Sequence, residues 1–301
     1  MSTSPESEIE RYLLTGEHDE RYSGWPGDDF LARAKRGDAS LREALLSVVD
    51  QRTADAVKPV ELAGLDVAGC ARRKVAPMVH GLFPAAERAA VLDVLARSVV
   101  FLTRDTVFEV IERAPRLSTA WNLANLYLAS CGAERLCPDA PPIVGLSEDT
   151  TCYVSTEYFR SAGRFEDFVV HEAAHIFHNC KRWTIGLREV RGREWLLPIE
   201  FRKRETFAYA CEAYSRILEH TTTLQGRRQL LEELGRGPIP PDDRVDSVEY
   251  LAILRQAVEA RNGWKRLLES CVDRPVRRRH PHKPEMAADR RVLGADESDC
   301  G

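Results

Sequence analysis

The apolar positions between Phe168 and Cys180 set the reading of this chain. Val169, Ala173, Ile176 and Cys180 recur at helical spacing, and Glu172 is the one charged residue among their neighbours. This pattern predicts a helix buried along its back, with His171 and His175 roughly opposite the stripe. A second long helix is expected over 198–218, with Pro198 near its first turn and Phe207, Cys211, Tyr214 and Leu218 as its apolar stripe. Glu205 and Glu212 share another face of that helix.

Upstream, Ser40-Leu-Arg-Glu43 has the capping-box form and is expected to open a helix carrying Leu41, Leu45, Val48 and Val49. Ala85 to Arg97, Thr106 to Arg113 and the run from Trp121 to Leu128 read as further helices. Strand signals are fewer. Pro142-Ile-Val-Gly145 and Thr151 to Thr156 suggest a hairpin, and Thr184 to Leu187 with Glu194 to Leu197 suggest a second around Gly192. After Val272 apolar periodicity stops, and no fixed repeat period supports a solenoid. The fold class is therefore α+β and mostly helical. A helical N-terminal region over 1–136 precedes a compact domain over 137–272 and a tail over 273–301 expected to be disordered.

Composition narrows the partners. A chain of 301 residues with 44% hydrophobic and 30% charged positions suits a globular protein with a substantial core. A formal net charge of −4 gives no electrostatic case for nucleic acid or an anionic membrane as the main partner. The first residues hold no apolar h-region, and no run approaches the ~18 apolar residues a membrane span needs. A cytoplasmic location with reduced thiols is expected for the eight cysteines, of which Cys180 and Cys211 read as small core residues. In the tail, Arg277 to Lys283 is a basic cluster in which His280 and His282 could scavenge metal.

The chemistry concentrates in His171-Glu172-Ala173-Ala174-His175, an HExxH motif. Side chains four apart on a helix share a face, so both imidazoles can reach one metal ion. Glu172 stands about 100° round the turn, free to take a proton from a metal-bound water. A third ligand is needed. The metzincin pattern is excluded, because its glycine and last histidine positions hold His178 and Lys181. His178 lies about 10.5 Å along the helix from His171, too far to share an ion with it. It reads as a surface histidine ending the helix, the alternative being a group behind a ligand or beside the substrate. Glu205 is the favoured third ligand and Glu212 the alternative; at about 10.5 Å apart only one can bind, and the other is expected to be a solvated helix charge.

HExxH on one helix with a glutamate ligand on a second resembles the gluzincin zinc metallopeptidases. Glu205-Thr-Phe-Ala-Tyr209-Ala210 is similar to the glutamate-helix segment of the bacterial ImmA/IrrE family, and the likeness covers roughly 140–220. Thermolysin-like enzymes carry Ser-Asp where this chain has Ala208 and Tyr209, so the aspartate that usually supports a metal ligand is missing. The resemblance implies a zincin-like core, Zn2+ held by His171, His175 and Glu205, and hydrolysis of a peptide bond in an intracellular protein or peptide with Glu172 as base. Tyr209, His178 and Arg204 are the candidate donors to the oxyanion. Cys152 to Thr156 is expected to be the open sheet edge where a peptide could add. Two competing readings remain: a non-catalytic interaction protein with a structural zinc site, and a zinc hydrolase acting on a non-peptide bond.

Overall fold

The computed structural model describes residues 4–54, 62, 64–140, 143–161, 163–189, 194–237, 240 and 242–272. The tail over 273–301, with its basic cluster and His280 and His282, lies outside them, as do Pro142 and Gly192. The described chain is mostly helical with one small sheet. Four helices come first: α1 (Pro5–Thr15), α2 (Phe30–Thr53), α3 (Val67–Leu82) and α4 (Ala85–Ser98). Strand β1 (Val99–Leu102) follows α4 directly, then α5 (Arg104–Arg113) and α6 (Leu117–Ser130). Next come β2 (Gly145–Glu148), β3 (Thr151–Ser155), a short α7 (Tyr158–Ser161) and α8 (Phe168–Asn179). The remainder is α9 (Arg204–His220), α10 (Leu224–Leu234), α11 (Ser247–Glu259) and α12 (Gly263–Cys271).

Local chemistry explains most boundaries. Ser4 and Ser7 form a reciprocal cap around Pro5 at the start of α1. Asp29 caps α2 by accepting from Ala32 N at 2.7 Å. Ser40 is therefore an interior residue of α2, not its start. The stripe Leu41, Leu45 and Val49 runs back only to Gly37, and the first turn holds exposed Phe30 and Leu31, so the buried pattern begins about two turns into the helix. The long helix after Pro198 also starts later than expected. Ile199 forms a bridge with Val272, Phe201–Lys203 is a 3-10 turn, and α9 begins at Arg204.

The sheet order is β1-β3-β2, with β1 parallel and β2 antiparallel to β3. The hairpin between β2 and β3 exists, but its first strand is Gly145–Glu148, downstream of the expected Pro142 to Gly145, and its turn is tight, with Asp149 at positive φ. The expectation that Cys152 to Thr156 forms an open edge is overturned: β3 is the central strand. β1, four residues continuous with α4 and beyond the helix expected over Ala85 to Arg97, occupies the other side of β3. Among the described residues the second hairpin does not form either. Lys181 and Trp195 make one isolated bridge, and Arg182–Ile185 is a 3-10 turn. Buried Arg182 ties that turn to Glu87 of α4 and to the Arg188 carbonyl.

Alternating residues of the sheet face two apolar clusters, as the period of two requires. Val99, Phe101, Cys152 and Val154 join the cluster built by α3, α4, α8, α9, α10, α11 and α12. Leu102 joins the cluster of α1, α2, α5 and α6, against which Leu146 and Tyr153 pack. Cys180 and Cys211 are core residues, and the described cysteines are free thiols. Among the described residues no helix is long and apolar enough to cross a membrane.

Helices α3 and α12 meet at Gly81, whose carbonyl accepts from Asn262 Nδ2 at 2.9 Å. A Cβ there would stand 2.2 Å from Trp264 Cδ1. Gly→Ala inside a helix ordinarily stabilises by about 1 kcal/mol. Gly81→Ala is expected instead to destabilise by about 1–3 kcal/mol in urea unfolding, because the buried indole must move; a gain in stability would contradict this packing.

Candidate metal centre

Helix α8 is anchored before its histidines begin. Asp167, fully buried, accepts from Val170 N at 3.2 Å as N-cap. Its carboxylate also pairs with Lys74 of α3 at 2.9 Å and accepts from the Tyr158 hydroxyl at 3.3 Å. From this start the helix presents His171 and His175 toward the first turn of α9, where Glu205 stands.

The three side chains converge. His171 Nε2 and His175 Nε2 are 3.3 Å apart. Glu205 Oε2 lies 3.8 Å from the first and 3.5 Å from the second. Donors about 2.0–2.2 Å from a tetrahedral zinc ion stand about 3.3–3.6 Å from one another, by the geometry of the tetrahedron. The set can therefore hold a metal ion, and two imidazoles with one carboxylate are a donor set zinc accepts.

Glu212 does not belong to this group, and it is not a solvated charge either. It is buried, two turns along α9 from Glu205. Its Oε2 meets His171 Nδ1 at 3.1 Å, and its Oε1 accepts from Asp167 N at 2.7 Å. It thus holds His171 from behind and could fill the role left empty by the missing aspartate. Tyr209 packs edge-on against the same imidazole, ring centroids 4.4 Å apart.

His178 is also buried, contrary to a surface position. The chain returns over the end of α8, with Leu196 N donating to the Cys180 carbonyl and Leu197 N to that of Phe177. His178 Nε2 lies 3.4 Å from His175 Nδ1. Burial, with His175 and Arg204 nearby, holds its pKa down at about 3, so the ring is neutral.

Glu172 is 6% exposed and abuts Gly145 of β2. A Cβ on Gly145 would stand 2.5 Å from Glu172 Oε1, so only glycine lets the strand pass so close. Burial pushes the Glu172 carboxyl above its usual range against the pull of the two histidines, and the carboxylates of Glu205 and Glu212 add to the rise. Glu205 goes the other way. Burial would raise it, but the hydrogen bond and charge of His175, with His171 and Arg244, hold it low and ionised.

Sequence reasoning missed Arg244. Its Nη1 pairs with Glu205 Oε1 at 3.0 Å and its Nη2 with Asp242 at 2.7 Å. It sits in a polar loop between α10 and α11 without periodicity, so only the fold brings it to Glu205. Of the named oxyanion candidates, Arg204 lies over the Phe201 ring and His178 faces His175. Tyr209 is kept protonated by burial and by the charges of Glu212, Asp242 and Glu205, and so remains a donor.

The chain matches no protein-family model, no curated protein and no solved structure. Its function is therefore read from the site itself.

Two outcomes follow for the centre. His175→Ala and Glu205→Ala should each abolish binding of one metal ion per chain, whereas Glu212→Gln should keep it with affinity lower by about 10–100-fold, as measured by competition with a chromophoric chelator. A larger loss in Glu212→Gln than in Glu205→Ala would exchange their roles. The second concerns pH. Burial pulls His171 down, but the hydrogen bond and charge of Glu212, with Glu172 and Glu205, outweigh it and raise the pKa from 6.5 to about 9. A raised folded-state pKa contributes stability that is full below about 6.5 and lost as pH rises through about 9. Metal-free wild type should lose more stability than His171→Gln between these pH values in chemical unfolding; parallel curves would show that the imidazolium is not held.

Proposed function

We propose that this chain is a zinc-dependent metallopeptidase of the gluzincin type, distantly similar to the ImmA/IrrE family, that hydrolyses a peptide bond in a protein or peptide. The observation that carries this reading is the convergence of His171 Nε2, His175 Nε2 and Glu205 Oε2, beside a separate buried carboxylate, Glu172. Three protein ligands leave a fourth position open, the arrangement of catalytic sites; structural sites are closed by four. A structural zinc site would also have no use for Glu172 at this place.

Zinc, when bound, polarises a water and the substrate carbonyl and so supplies the nucleophile and part of the charge stabilisation. The remaining work belongs to the chain. Glu172 takes the proton of the attacking water, and its raised pKa brings it nearer the range in which a carboxylate both accepts and returns a proton. It then delivers that proton to the departing amine. Tyr209, protonated and packed on His171, is the donor we assign to the developing oxyanion. Glu212 and Asp167 hold His171 in place during turnover.

Substrate approach is assigned to β2. This strand ends the sheet, and its Gly145 lies against Glu172. An extended peptide pairing with the outer edge of β2 would run past the catalytic carboxylate, with main-chain hydrogen bonds giving affinity and alternate side chains giving specificity.

The test is Glu172→Gln. The variant should keep its zinc by elemental analysis while cleavage of a proteome-derived peptide library falls by about 10²–10⁴-fold, the usual weight of a general base. Equal cleavage by the variant would remove Glu172 from the mechanism. A zinc-loaded wild type that cuts no library member would contradict the peptidase reading.

A further inference from the structure

We infer that His178 is the positioning residue for His175, acting as the neutral tautomer that carries its proton on Nδ1. The inference rests on the metal site proposed above and adds a residue to it. His171 and His175 turn their Nε2 atoms toward each other and toward Glu205. A ring that offers a lone pair at Nε2 carries its hydrogen on Nδ1, and that hydrogen needs an acceptor to fix the plane of the ring.

The two rings meet this need differently. His171 Nδ1 faces a full anion, Glu212 Oε2, at 3.1 Å. His175 Nδ1 faces the Nε2 of another imidazole, His178, at 3.4 Å. For His175 to donate there, His178 Nε2 must hold a lone pair, which places the His178 proton on Nδ1. Among the described residues His178 Nδ1 is buried without a hydrogen-bond partner, so this tautomer leaves one buried N–H unpaired and only the demand of His175 Nδ1 favours it. His175 alone therefore selects the tautomer of His178.

Position on the helix makes the contact durable. Residues three apart are neighbours on a helix surface, and the two rings stand nearly perpendicular at 88° with centroids 5.2 Å apart. The last turn of α8 is held from outside by the Leu196 and Leu197 amides. His178 thus does for His175 what Glu212 does for His171, without adding another carboxylate to Asp167, Glu172, Glu205 and Glu212.

The experiment uses the full chain, labelled with 15N-histidine and loaded with zinc. Long-range proton–nitrogen correlation should show Nε2 of His178 unprotonated and its Nδ1 protonated. Zinc affinity is measured in parallel by chelator competition for wild type, His178→Phe, His178→Gln and His175→Ala. His178→Phe fills the space without an acceptor and should bind zinc about 10–100-fold more weakly. His178→Gln carries an acceptor oxygen at similar reach and should recover most of that loss. A proton on Nε2 of His178 in the zinc-loaded protein, or unchanged affinity in a folded His178→Phe, would overturn the inference while leaving the metal site intact. Absence of zinc from wild type, or zinc indifferent to His175→Ala, would overturn the site and this inference together.

Discussion

Glu212 is the interaction on which the rest of the centre depends. One of its oxygens accepts from Asp167 N, at the start of α8, and the other meets His171 Nδ1, one turn into that helix. A single side chain of α9 therefore fixes both the register and the rotation of α8 against it. Glu205, two turns earlier on α9, then falls beside His171 Nε2 and His175 Nε2. Without this clamp, sliding one helix past the other by a residue, about 1.5 Å, would separate the donors. Ala173 and Ala208, both fully buried on the facing helices, permit the close approach that the clamp requires.

The centre gathers more acid than base. Asp167, Glu172, Glu205 and Glu212 lie together, answered by Lys74, Arg244 and the two imidazoles. Burying carboxylates is costly unless each is paired or hydrogen-bonded, and three of these four have a cation or an amide assigned to them. Glu172 is the exception, and its pKa rises accordingly. Glu205 and Glu172 are thus driven in opposite directions by their surroundings. One remains an anion suited to hold a cation, and the other is suited to carry a proton. Such divergence between neighbouring carboxyl groups is how a site divides its acid and base roles.

The motif helix was legible because its evidence is local. Spacing put His171 and His175 on one face, and the stripe of Val169, Ala173 and Ile176 was enough to bury the other. Glu205 could be preferred to Glu212 from sequence, and it is Glu205 whose carboxylate stands beside both Nε2 atoms, while Glu212 meets His171 at Nδ1. What sequence could not give is what lies behind each ligand. Glu212 read as a solvated charge and His178 as a surface residue, because burial of a helix end depends on a loop 18 residues away returning over it. Arg244 comes from a stretch without periodicity, and Lys74 from a helix interrupted in sequence by Pro77. The sheet failed for a related reason. Four residues of β1 continue the apolar run of α4, and only pairing with β3 shows that the run has changed from helix to strand. With Val99–Leu102 left unassigned, β3 looked like an edge, while its hairpin partner β2, the strand that touches Glu172, was expected a few residues too early.

The central claim is that two histidines of α8 and one glutamate of α9 hold a single zinc ion with a position left open. Anomalous diffraction at the zinc edge from crystals of the full chain tests it most directly. The account predicts one zinc peak within about 2.0–2.2 Å of His171 Nε2, His175 Nε2 and Glu205 Oε2, with Glu212 still against His171 Nδ1. A zinc ion ligated by Glu212, one closed by a fourth protein side chain, or no peak at these residues would contradict it.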